Sequence, residues 1–278
     1  DRERLVAALH ASHGWPAVLT WLREGDIAAT RAWPCSLPVL RDTIGVIQHS
    51  LHAAEWTRRH YDAATAGEPA IIPHLRRLPP KGDRAAARRR LGLAPDLPVI
   101  ASFGILTASK LPDRLVAACH GLHHAGKRPL LALVGEAVEQ LDLPREGATL
   151  RLTGRVSPQD YADWMAAADI AVQLRDHSRG ETSGALIDCL AAGLPVVVNR
   201  HGTMSQVPDG CLRAIPERFG DGELRAVLQD LLQDPASGRQ LGARAREWVR
   251  ETLSPERIGL AYREAIEAFY DLSLIHIS

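Results

Sequence analysis

The 278 residues are 46% hydrophobic and 24% charged, the balance of a soluble globular chain with room for two modest domains of roughly 100–200 residues each. Lysine plus arginine and aspartate plus glutamate both number 33, so no net field favours nucleic acid or an anionic membrane. The four cysteines form no CxxC pair, the twelve histidines lack ligand spacing, and no apolar run reaches the ~20 residues of a membrane helix.

Cys119 and Cys189 sit in apolar helical surroundings and read as buried, reduced thiols, and with no signal peptide at the start the expected compartment is the cytoplasm. Lysine occurs only at positions 81, 110 and 127, a bias towards arginine that points to a GC-rich bacterial coding sequence. The chain opens without Met, and Leu272–Ser278 ("LSLIHIS") reads as translated adapter sequence, so a fragment with a non-native tail is expected.

Residues 1–40 give short helical pieces such as "RERLVAALHA". Thr43–Ser50 reads as a β-branched strand, "LHAAEWTRRHYDA" as an amphipathic helix and Ala70–Leu75 as a strand stopped by proline. "PPKGDRAAARRRLGLAPD" reads as a connector with a basic helix and a turn at Pro95-Asp96. Regular alternation follows. Strands are expected at "LPVIASFG", "PLLALVG" and "ATLRLTG", ending in Gly104, Gly135 and Gly154, with a helix from Leu111 to Gly126 after the first. A helix capped by Ser157 with Pro158 at its first position precedes the strand "DIAVQL". "SGALIDCLAAG" is a helix, "LPVVVN" a strand, "GCLRAI" a last strand, and three helices close the chain. Near-continuously apolar strands alternating with helices predict an α/β fold, a doubly wound parallel sheet.

In such a sheet ligands bind outside the carboxyl ends of the strands. The dinucleotide fingerprint G-x-G-x-x-G is missing after the first strand, where "FGILTASKLPDR" stands, which argues against nicotinamide or flavin. That loop instead carries Lys110 beside a helix start, a combination suited to phosphate, although a solvated lysine on a helix cap is the commoner case for a lone Lys. In "SRGETSGALIDCLAAG" the helix mouth at Thr182, Ser183 and Gly184 makes a second anion site, with Thr182 or Ser183 as N-cap. Asp188, about one turn in, is placed to accept hydrogen bonds from a pair of hydroxyls; its bland alternative is an exposed helical acid. Two anion sites and a carboxylate suit a diphosphate attached to a ribose.

From about Thr43 to Tyr270, and most strongly from Pro98 to Asn199, the chain resembles the retaining GT-B glycosyltransferases of family 4 (group 1 glycosyltransferases). The residues that carry the resemblance are "GILTASK" with Gly104 and Lys110, "LTGRVSPQDYADWMAAADIAV" from Leu152 to Val172, and "DCLAAGLPVVV" from Asp188 to Val198. The resemblance implies a Rossmann-like carboxy-terminal domain over 91–252 that binds a nucleotide-diphosphate sugar. Residues 1–90 would then be the remnant of the acceptor-side domain with its linker, 253–271 a helix crossing back to it, and 272–278 the non-native tail. It also implies that Lys110 neutralises the diphosphate leaving group while the sugar passes to an acceptor hydroxyl with retention, without metal or other cofactor. Gly104, Arg155, Val156, Arg179, Thr182, Ser183, Gly184 and Asp188 would bind the donor, the nucleobase lying against the Gly154–Val156 backbone. The acceptor would be a carbohydrate or lipid-linked molecule, and the protein cytoplasmic or peripheral to the inner membrane face.

Three departures stand out. Ile105 replaces the phosphate-binding arginine of the pattern, a loss that Arg179 or Arg155 would have to make good. The second glutamate of E-x7-E is Asp188. The first falls on Gly180, with Glu181 one place later, so Glu181 is expected near the donor sugar. Two alternatives stand beside transfer: a noncatalytic nucleotide-sugar-binding module, and a sugar-nucleotide epimerase, for which the sequence lacks a cluster of acid/base carboxylates and histidines.

Overall fold

The computed structural model describes residues 1–124, 126–141, 143, 149–178 and 180–275, which form two compact units. The first unit comprises residues 1–74, 180–182 and 256–275, the second residues 75–178 and 183–255 with the same gaps.

The first unit opens with α1 (Arg2–His13), α2 (Trp15–Ala32) and α3 (Leu37–Arg41). The expected strand at Thr43–Ser50 shrinks to β1 (Ile47–Gln48), which pairs in parallel with β2 (Ala70–Ile71). Between them lie α4 (Leu51–His60) and α5 (Ala63–Ala66). Ser50 ends the strand because its Oγ accepts from the Ala53 backbone N–H at 3.0 Å and so caps α4.

The second unit begins with α6 (Arg84–Arg90). This helix reads as a connector in the sequence, but it is a core element: Ala87 and Arg88 are buried, and α6 packs on α8 (Pro158–Ala167). The sheet then follows as β3 (Val99–Phe103), α7 (Pro112–Cys119), β4 (Leu130–Val134), β5 (Thr149–Leu152), α8, β6 (Ile170–Gln173), α9 (Gly184–Ala192), β7 (Val196–Asn199) and β8 (Arg213–Ile215). Helices α10 (Asp221–Gln233) and α11 (Pro235–Thr252) complete it, and α12 (Pro255–Ile275) returns the chain to the first unit. Residues 272–275, set aside as a tail, continue α12.

The strand order is β5-β4-β3-β6-β7-β8, every pair parallel. This is the 3-2-1-4-5-6 order of a Rossmann-type sheet, which reverses direction between β3 and β6. Alternation along β3 feeds two cores: Val99, Ala101 and Phe103 pack with Trp164, Leu190 and Val249 on one face, and Ile100 with Leu115, Leu224 and Leu228 on the other. Both faces are covered, which is why these strands read as unbroken apolar runs.

α7 is shorter than the expected 111–126. It ends at Cys119 because His120 is extended and Gly121 turns at φ +75°. α9 and α11 approach so closely that a Cβ on Gly242 would lie 1.9 Å from the Gly193 carbonyl oxygen, so only glycine fits there.

Candidate functional site

The reversal point of the sheet brings together the carboxyl ends of β3 and β6 and the start of α9. β3 ends at Phe103, and Gly104 then turns the chain at φ +90°. A 3-10 turn (Ala108–Lys110) follows, held by Asp176 N–H donating to the Ser109 carbonyl at 3.0 Å. Leu111 takes a left-handed conformation at φ 52° immediately before Pro112, a strain of order 1 kcal/mol that swings Lys110 back under the strand end.

Lys110 is 8% exposed. Its Nζ donates to the Phe103 carbonyl at 2.8 Å and lies 3.0 Å from where a Cβ on Gly104 would stand; the Ala185 Cβ is 3.3 Å from the same point. Among the described residues the ammonium has that one acceptor and no carboxylate within 4.0 Å. Burial, with the nearby Arg175 charge second, lowers its pKa to about 7. Gln173, fully buried at the end of β6, also points its Nε2 at the Phe103 carbonyl at 3.4 Å, and its Oε1 has no partner among the described residues.

Ser183 is the N-cap of α9, its Oγ accepting from the Leu186 N–H at 3.3 Å. The Gly184 and Ala185 N–H groups thereby stay at the open, positive end of the helix. Thr182 takes no part in this cap: it groups with the first unit, where its Oγ1 is buried without a partner among the described residues.

Asp188 is half-buried rather than an exposed helical acid. Arg76 Nη1 pairs with its Oδ1 at 3.2 Å, and the Tyr161 hydroxyl donates to its Oδ2 at 3.3 Å. Burial nevertheless raises the carboxyl above its ordinary value, with Arg76 and Tyr161 pulling the other way. The same burial, with the Asp188 charge second, pushes the Tyr161 hydroxyl upward. Tyr161 in turn meets Phe103 edge-on, ring centroids 5.6 Å apart.

The three strand-end glycines part company. Gly104 faces Lys110. Gly135 faces backbone, since a Cβ there would lie 2.2 Å from the Gly104 carbonyl oxygen, whereas Gly154 faces nothing within 4 Å. Arg155 is exposed beside Gly154, and Val156 is partly buried against the core. Arg179 lies outside the described residues. Glu181 is exposed and groups with the first unit. There it lines a cavity of about 450 Å³ together with Gln48, His49, Trp56, Tyr61 and His74, the His49 and His74 rings 3.7 Å apart.

The structure thus brings together Gly104, Lys110, Ser183, Gly184 and Asp188 in one unit, and adds Arg76, Tyr161 and Gln173, which motif spacing did not single out. Gln173 alone carried a readable signal, a polar residue in an otherwise apolar strand. Among the described residues no group of three or more His, Cys, Asp or Glu side chains is arranged to hold a metal ion, and no helix is long and apolar enough to cross a membrane.

Residues 97–234 match the family profile described as glycosyl transferases group 1. The chain is 27% identical over 224 residues to a GDP-mannose-dependent monoacylated alpha-(1-6)-phosphatidylinositol monomannoside mannosyltransferase of Corynebacterium glutamicum, covering 75% of this chain and 59% of that one. It is 29% identical over 261 residues to a D-inositol 3-phosphate glycosyltransferase of Streptomyces avermitilis, covering 85% and 55%. The chain therefore spans little more than half the length of these relatives. Among solved structures, sucrose-phosphate synthase from Thermosynechococcus elongatus superposes with a TM-score of 0.70 at 22% identity, over 95% of this chain and 66% of that one. Anabaena HepE in complex with UDP and glucose gives 0.68 at 17% identity, over 84% and 66%. The likeness to these structures is one of fold, the GT-B glycosyltransferase architecture.

Proposed function

Since the chain belongs through residues 97–234 to the group 1 glycosyl transferases, we propose that its second unit binds a nucleotide-diphosphate sugar and that the protein passes the sugar to an acceptor hydroxyl with retention of configuration. The observation that carries this reading is the convergence of the Lys110 ammonium and the open end of α9 on Gly104, where no Cβ stands between them.

In this reading the diphosphate lies across the start of α9. Lys110, short of partners in its dry setting, meets the charge that develops on the leaving phosphate as the glycosidic bond breaks, and supplies the electrostatic part of catalysis without a metal. An incoming anion raises the Lys110 pKa, so the ammonium is charged when the phosphate is present. Asp188 has two oxygens and about four lone pairs, of which Arg76 and Tyr161 use two, so it can still accept from ribose hydroxyls. The Gly154–Val156 backbone meets the base, and Glu181 serves the donor sugar. The names of the relatives make an inositol phosphate or its lipid-linked form the first acceptor class to try, at the cytoplasmic membrane face.

A thermal-shift titration of the chain with UDP, GDP, ADP and dTDP tests the donor site. A nucleotide at 100 times its dissociation constant adds about 2.7 kcal/mol of stability. The expected result is stabilisation by one of the four, abolished in Lys110→Ala; equal stabilisation of wild type and variant would refute the role given to Lys110. Retention is read from the anomeric configuration of the transferred sugar by NMR.

A further inference from the structure

We propose that Arg76 is the second cation of the diphosphate site, standing where Ile105 leaves the pattern of related enzymes without one; the inference rests on the donor-site reading above. Arg76 belongs to the same unit as Lys110 and α9. Its Nη2 lies 3.6 Å from where a Cβ on Gly184 would stand, at the first residue of α9, and its Nη1 is 3.2 Å from Asp188 Oδ1. Lys110 comes to the same helix start by way of Gly104, its Nζ 3.0 Å and the Ala185 Cβ 3.3 Å from where a Cβ on Gly104 would stand. Two cations therefore stand near the open N–H groups of α9, one at Gly184 and one by way of Gly104, and two cations suit two linked phosphates better than one.

The guanidinium is kept ready rather than used up. Its side chain is 32% exposed, and among the described residues its guanidinium pairs with a single Asp188 oxygen while its buried Nε has no partner. A guanidinium committed to structure has its donors filled, as Arg88 of this chain does. Asp188 holds Arg76 at the helix mouth by its charge, and a phosphate offers the planar fork two oxygens in the geometry it matches best. Ile105, 60% exposed, cannot make that contact. Arg155 is exposed on the loop after β5, beside Gly154.

The test is calorimetric titration of the chain and of its Arg76→Met, Arg76→Lys and Lys110→Met variants with UDP, GDP, ADP and dTDP, and with the monophosphate of whichever base binds. Arg76→Met is expected to weaken the preferred diphosphate by about tenfold or more and the matching monophosphate by much less, with Arg76→Lys in between because it keeps the charge and loses the fork. The Lys variant also guards against a misfolded Met variant. If both Arg76 variants bind the diphosphate like wild type while Lys110→Met loses it, the donor site stands and Arg76 is no part of it. If Arg76→Met loses mono- and diphosphate alike, the residue acts only through Asp188, and the proposal fails as well. If no nucleoside diphosphate binds even the wild-type chain, the donor-site reading itself is overturned.

Discussion

Two buried cations occupy opposite ends of one sheet and are built in opposite ways. Arg88, 2% exposed, sits at the amino ends of β3 and β6. Its Nε and Nη2 donate to the Ala167 carbonyl at 3.2 and 3.0 Å, Nη1 to those of Ala94 and Pro95 at 3.0 and 2.7 Å, and Nη2 also to Asp169 Oδ2 at 3.0 Å. Asp169 in turn accepts the Val99 N–H at 2.8 Å and pairs with Arg84. Lys110, 8% exposed at the carboxyl ends, has one carbonyl. A charge that serves the fold is saturated by it; a charge that serves a ligand is left wanting. The contrast is the reason Lys110 is proposed to serve a ligand and Arg88 the fold.

Removing the saturated cation has the largest expected effect. Arg88→Met leaves the Ala94 and Pro95 carbonyls without their arginine donor and leaves Asp169 and the Ala167 carbonyl to Arg84 alone of the two arginines, and breaking such a buried network costs about 3–5 kcal/mol. The urea midpoint should fall accordingly, and an unchanged midpoint would end the claim that Arg88 is structural. Lys110→Met should act the other way. The folded pKa of about 7 lies below the ordinary 10.5, so folding at neutral or lower pH must either desolvate the charge or shed its proton. The variant is expected to be more stable than wild type by on the order of 1–3 kcal/mol below pH 7, the gain shrinking as pH rises and vanishing above about 10.5. The same sign governs binding. Above pH 7 a diphosphate must draw a proton onto Lys110, so its affinity should fall by up to about tenfold per pH unit in wild type and stay flat in the variant. Titrations at pH 7, 8 and 9 separate the two.

The sheet that frames this contrast was legible because fully covered parallel strands must be apolar throughout and must stop at turns, and Val99–Phe103 and Leu130–Val134 do both. The lower boundary of the second unit was less so. In the run Arg88, Arg89, Arg90 nothing but helical phase tells which arginine turns inward, and Ala87 and Arg88 share the buried face that the composition conceals. Of the site, the parts carried by local chemistry were readable: Gly104 for its turn, Lys110 for its charge, Ser183 for its cap, Asp188 for its place in the helix. Arg76 and Tyr161 were not, because each reaches Asp188 from a distant segment and neither follows a spacing rule. Two glycines compete as the stop of α7 in the sequence, Gly121 and Gly126, and the chain turns at the first of them.

The smallest expected effect tests the second carboxylate of the comparison. Asp169 faces both Arg84 and Arg88 and holds a strand N–H, whereas among the described residues Asp188 has Arg76 and Tyr161 and is raised above its ordinary pKa mainly by burial. A carboxyl raised in the folded state stabilises most when protonated, and that contribution is lost as pH climbs through its folded value. Asp188→Asn removes the titration, keeps an acceptor for the Tyr161 hydroxyl and releases Arg76, which is about one-third exposed and can turn to water. Stability at pH 7 should therefore change by less than about 1 kcal/mol. Wild type should lose stability as pH rises through the Asp188 titration, and the variant's curve should lack that loss. Asp169→Asn, by contrast, should be costly at every pH. If Asp188→Asn proved as damaging as Asp169→Asn, the two ends of the sheet would be built alike, and the spare capacity assigned to the carboxyl end would be gone.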